Sequence, residues 1–115
     1  MKRESLIFVE HILESIKDIE NFIKGVSRES FMKNKEKQSA VVRQIEIIGE
    51  ASKNLPENFK EKYPEISWKE IIGSRDKIIH HYFGVDLGIV WEIVTINLLT
   101  LKKQIKDILK AEKRA

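Results

Sequence analysis

Between residues 75 and 82 the chain reads Arg-Asp-Lys-Ile-Ile-His-His-Tyr. Arg75 can hold a phosphate with a planar fork of donors. His80 and His81 carry imidazoles, whose proton comes and goes near neutral pH. Tyr82 adds a hydroxyl at the rim of an aromatic ring. A guanidinium to steady phosphoryl charge and an imidazole to move a proton are sufficient parts for metal-free cleavage of RNA. The remaining histidine, His11, lies far upstream.

Other chemistries find fewer parts. No cysteine is present, which excludes a disulfide scaffold, a thiolate zinc site and a cysteine nucleophile. His80 and His81 are adjacent, so on a helix they point about 100° apart, and no His-x-x-x-His pair exists. No metal site and no cofactor are expected. A glycine-rich phosphate loop is missing. Ser74 has no nucleophile arrangement around it. Lys33, Lys35 and Lys37 read as a solvated loop, with RNA-backbone contact as the lesser use.

The elements that must position these residues are helices. Apolar residues recur at steps of three and four almost throughout, and glycine and proline are scarce. Leu6, Val9, Leu13, Ile16, Ile19, Phe22 and Ile23 form the stripe of a first helix, which Gly25 stops. Residues 27–39 are polar and lysine-rich, with Phe31 and Met32 as an apolar anchor, and read as a loop or helix start. A second helix packs Val41, Val42, Ile45, Ile48, Ser52 and Leu55, and Asn54-Leu55-Pro56 ends it. A short turn occupies Glu57 to Lys62. Ser67 and Glu70 then form a capping box for a third helix. Its stripe is Trp68, Ile71, Ile72, Arg75, Ile78, Ile79 and Tyr82. Asp86 caps a fourth, whose first three turns are apolar on more than half their circumference. That helix is either central or buried against a second chain. The tail from Lys110 to Ala115 is expected to fray. The reading is one domain over residues 1–115, an all-α antiparallel bundle of about four helices.

On the third helix Arg75 falls within the apolar stripe, with Tyr82 two turns on. His80 lies about 140° round the axis and about 7.5 Å along it. Asp76 precedes His80 by one turn. Arg75 and His80 therefore converge only if the helix end distorts or if two copies of the chain build the site across a two-fold axis. The dimer is the favoured reading, since it would also cover the apolar excess of the fourth helix. The plain alternative gives each residue a structural task. Arg75 would snorkel or pair with Glu46, Glu50 or Asp76. His80 and His81 would sit at a helix C-terminus for its dipole, and Tyr82 would be a core ring.

The run Trp68-x-x-Ile71-x-Gly73-x-Arg75-Asp76-x-x-Ile79-His80-His81-Tyr82-Phe83-x-Val85-Asp86 closely resembles the HepT-like branch of the HEPN superfamily. Ile48-Gly49-Glu50-Ala51-x-Lys53-x-Leu55-Pro56 resembles the second signature of that branch, and Val90-Trp91-x-Ile93 matches the segment that usually comes after the motif. The resemblance covers nearly the whole chain. It implies a HEPN helical bundle, a two-fold symmetric homodimer with the motif at its interface, and the toxin of a type II/VII-like toxin–antitoxin pair. It implies a metal-independent RNA endonuclease with Arg75 and His80 catalytic and with Asp76 and His81 in support. The partner it implies is a nucleotidyltransferase antitoxin of the MNT type that adenylylates Tyr82. A non-catalytic helical module that binds such a nucleotidyltransferase is the alternative.

Composition is compatible with this. Hydrophobic residues make up 42% and charged residues 34% of 115, as in an ordinary soluble domain. A net charge of +3 permits a nucleic-acid partner without demanding one. No apolar run approaches the roughly 20 residues of a membrane span, and the start lacks the features of a signal peptide. A cytoplasmic protein with no membrane contact is expected.

Overall fold

The computed structural model describes residues 2–80 and 86–114; for residues 2, 75–80 and 114 it describes the backbone alone. Among the described residues the chain is all-helical. Its elements are α1 (Lys2–Ile23), α2 (Arg28–Lys33), α3 (Lys35–Asn54), α4 (Glu57–Lys62), α5 (Trp68–His80), α6 (Leu87–Glu92), a π-helical turn (Ile93–Asn97) and α7 (Leu98–Arg114).

Local chemistry sets the boundaries. Gly25 ends α1 with φ at +72°, a left-handed conformation that costs glycine little. The amide of Val26 turns back to the Ile23 carbonyl at 2.9 Å. Ser27 caps α2 by accepting from the Ser30 amide at 3.1 Å, and Asn34 caps α3 by accepting from the Lys37 amide at 3.0 Å. The polar stretch 27–39, read from sequence as loop or helix start, is thus a one-and-a-half-turn helix, a capping asparagine and the beginning of α3. Asp86 caps α6 as expected, its Oδ1 accepting from the Ile89 amide at 3.1 Å.

The core lies where the stripes meet. Val9, Ile12, Ile16 and Ile19 of α1 are fully or almost fully buried, as are Val41, Ile45 and Ile48 of α3 and Ile105 and Ile108 of α7. Helix α3 packs against α1 on one side and α5 on another, and α7 packs against α1. Two ion pairs give the sense of α7: Lys102 reaches Glu20 at 2.8 Å and Lys113 reaches Glu10 at 3.6 Å, so α7 runs antiparallel to α1.

The expected fourth helix is one run with a fault in it. The amide of Leu98 bonds the Ile93 carbonyl, five residues back, so the turn from Ile93 to Asn97 is wider than an α-turn. Buried Val90, Val94 and Leu98 recur every four residues. In an unbroken α-helix such positions drift round the axis by about 40° at each step. The wide turn absorbs that drift and keeps all three on the core. It leaves Ile89, Ile96 and Leu99 outside, exposed by 43%, 61% and 60%.

The tail does not fray where expected. α7 continues to Arg114, and Glu112 is only 4% exposed. Its carboxylate accepts a short hydrogen bond from the Tyr63 hydroxyl and is paired with the Lys62 ammonium at 2.6 Å. A buried carboxylate is tolerated because groups from the segment that leads into α5 pair with it and hydrogen-bond to it. Glu112→Ala strands the Tyr63 hydroxyl and is expected to lower unfolding free energy by about 1–3 kcal/mol, read from urea midpoints. Burial, and then the Glu112 carboxylate, push the Tyr63 hydroxyl up from 10.0 to about 12. The folded chain holds that proton more tightly than the unfolded one, so this contribution is whole below pH 10.0 and is lost as pH rises towards 12. Tyr63→Phe should show a flatter fall in stability across that window than the parent chain.

Candidate functional site

Helix α5 carries the motif as far as His80, and its entry is pinned. The Trp68 indole, 8% exposed, donates to the Tyr63 carbonyl at 3.1 Å, so the first turn is tied to the segment that Glu112 holds. The Ser67 carbonyl accepts from the Ile71 amide at 3.0 Å, which closes that turn. Ser74 spends its hydroxyl on the Glu70 carbonyl at 2.8 Å, one turn back, and is no nucleophile in this state.

The backbone of α5 is helical through Arg75, Asp76 and His80. The α-carbons of Arg75 and His80 are therefore about 140° apart around the axis and about 7.5 Å apart along it. Of the two ways to bring the pair together, distortion of the helix does not occur before His80. His81 and Tyr82 lie outside the described residues. Sequence spacing puts Arg75, Asp76 and His80 on one helix end, and the backbone agrees.

A cavity of about 310 Å³ runs beside the first half of α5 and reaches Ser74. Its floor is apolar, with Ile48 of α3, Ile71 of α5, and Ile93 and Leu101 beyond them. Ile96 and Asn97 of the π turn stand on its lip, and Gln104 bridges to the Glu65 carbonyl at 3.2 Å. Glu65 and Glu70 give the rim an acidic character. Such a groove suits a protein surface better than a phosphate backbone. His11 lines a separate groove with Arg43, Glu46 and Glu50 on the far side of α3. Among the described residues no three His, Asp or Glu side chains gather in a way that could hold a metal ion.

The segment that docks on α6 is basic. Helix α2 docks on α6 through Phe31, fully buried, whose ring meets that of Trp91 at 5.1 Å between centroids. Gln38 holds the Phe31 carbonyl at 2.8 Å. This brings Arg28 to the beginning of α6. Its Nη2 lies 3.4 Å, and Asp86 Oδ1 3.1 Å, from the point where a side chain at Gly88 would begin. Sequence reasoning singles out lysines of this segment but not Arg28, because nothing local in the chain joins it to Asp86.

Residues 12–108 match the family model described as Ribonuclease HepT-like. A provisionally named RNase of Caldanaerobacter subterraneus subsp. tengcongensis is 48% identical over 106 residues, covering 92% of this chain and 95% of its own. A provisionally named RNase of Methanocaldococcus jannaschii is 45% identical over 109 residues, covering 95% and 90%. A protein of Thermococcus cleftensis with the name "Probable ribonuclease HepT" is 44% identical over 110 residues, covering 96% and 100%. No solved structure matches the chain.

Phe31 joins α2 to the helix beyond the motif, and its removal should be felt there. Phe31→Ala is expected to cost about 3–5 kcal/mol, measured by chemical denaturation.

Proposed function

We propose, from the premise that this chain belongs to the Ribonuclease HepT-like family, that it is a metal-independent endoribonuclease of the HEPN type. The observation that carries the reading is the Arg-x-x-x-x-His-x-Tyr motif at the end of α5, in a chain whose matched relatives bear ribonuclease names along nearly their full length. The RNA 2′-hydroxyl attacks the adjacent phosphorus, the new 2′-oxygen–phosphorus bond forms, and the bond to the 5′-oxygen breaks. His80 takes the proton from the 2′-hydroxyl, and its counterpart in a second chain gives one to the departing 5′-oxygen. Arg75 offsets the charge that grows on the phosphoryl oxygens. Asp76, one turn before His80, orients the imidazole, with His81 in support.

Two chains supply the site. The regular backbone through His80, with the two α-carbons about 140° apart around the axis, supports that reading. The exposed Ile96 and Leu99 and the apolar groove beside α5 offer a surface for a second copy. The protein acts in the cytoplasm as the toxin of a toxin–antitoxin pair. An MNT-type nucleotidyltransferase partner silences it by adenylylating Tyr82, which puts bulk and negative charge beside Arg75.

Expression of the chain alone should arrest growth and degrade RNA. Arg75→Ala and His80→Ala should each lower cleavage by at least about 100-fold, with cleavage by the parent undiminished in EDTA. Tyr82→Phe should cut RNA yet escape AMP transfer. Equal harmlessness of all forms would favour a non-catalytic module instead. Ile96→Lys combined with Leu99→Lys should yield a folded monomer in sedimentation and abolish cleavage; a monomeric parent that cuts at full rate would sink the two-chain site.

A further inference from the structure

We propose that Arg28 is a second phosphate-binding arginine, which holds the RNA strand beside the linkage that Arg75 and His80 act on. The ligand rests on the ribonuclease reading; the placement rests on four features of the fold.

The first is where the guanidinium lies. Arg28 Nη2 lies 3.4 Å from the point where a side chain at Gly88 would begin, at the start of α6. The second is that Arg28 is exposed and, among the described residues, makes no ion pair. The neighbouring Asp86 directs its Oδ1 at the Ile89 amide, and Glu29 on the same helix is occupied by Lys33 at 3.5 Å. An arginine with its fork unspent is suited to a bidentate phosphate contact. The third is that its platform is firm: α2 is anchored by the buried Phe31 ring against Trp91.

The fourth is reach. Asp86 comes four residues after Tyr82 and six after His80. An extended chain spans at most about 3.6 Å per residue, so Asp86 lies within about 14 Å of Tyr82 and about 22 Å of His80, whatever path the chain takes between them. That is a span of a few nucleotides. Charge points the same way. Residues 24–37 hold five basic side chains against two acidic ones, whereas the groove on the other flank of α5 is rimmed by Glu65 and Glu70. An anionic strand is drawn to the α2 side.

The test is a salt titration of binding, by fluorescence anisotropy, to a labelled single-stranded RNA whose 2′-hydroxyls are methylated and which cannot be cut by the proposed route. Arg28→Ala should weaken binding by about tenfold, the order of one charge-assisted contact. It should also reduce the slope of log affinity against log salt by about 0.7, the value for one phosphate on a single strand. Arg28→Lys should recover the slope but only part of the affinity. Lys33→Ala, on the same helix but engaged with Glu29, should bind like the parent. Arg28→Ala that matches the parent in affinity and slope would overturn the proposal, as would an equal loss in Lys33→Ala. Should Arg28→Ala melt early, Arg28→Lys decides the matter through its affinity deficit at unchanged melting temperature. A parent that binds through Arg28 but never cuts unmodified RNA would sink the nuclease reading alone. A parent that cuts while Arg28→Ala binds normally would sink this proposal alone.

Discussion

An α-helix turns about 100° per residue, and α5 keeps that turn from Trp68 to His80. Residues five positions apart on such a helix have α-carbons about 140° apart around the axis. For Arg75 and His80 that separation supports the proposed reading in which two copies build the site. That reading makes the outer face of the chain as important as the core. The apolar side chains left exposed at Ile89, Ile96 and Leu99 are a cost to an isolated chain, and they become an asset once a copy covers them.

The π turn at Ile93–Asn97 links the two demands. It keeps Val90, Val94 and Leu98 on the core by widening one turn, and in doing so it sets Ile96 and Asn97 on the lip of the groove beside α5. A straight helix would satisfy its own hydrogen bonds equally well but would rotate one of its halves off the core. Packing favours the wide turn, since burying a large aliphatic side chain is worth about 1.5–3 kcal/mol.

Much of this was legible in the amino-acid order, and the reason is range. The stripes of α1 and α3, the stop at Gly25 and the cap at Asp86 depend on neighbours three or four positions away, and periodicity or cap chemistry reveals them. The helix that carries Arg75 and His80 was legible by its apolar stripe, while their pairing was suggested by the family resemblance more than by spacing. What escaped depends on distant partners. Glu112 reads as a solvated tail charge until Lys62 and Tyr63 are seen to hold it. Arg28 reads as one basic residue among several until the fold is seen to set it beside Gly88 and the start of α6. The fault in the last helix has no local residue signature. It arises from four-residue spacing that only a known core direction makes meaningful.

The tie between Glu112 and the Lys62–Tyr63 corner also orders events in time. Tyr63 holds the Trp68 indole through its carbonyl, so the entry to α5 receives its last fastening from a residue some fifty positions later in the chain. At about 5–20 residues per second of synthesis, the ribosome needs several seconds to deliver that residue after the corner has formed. For that interval the entry to α5 stands without this brace, and the corner waits on the far end of α7 for its final tie.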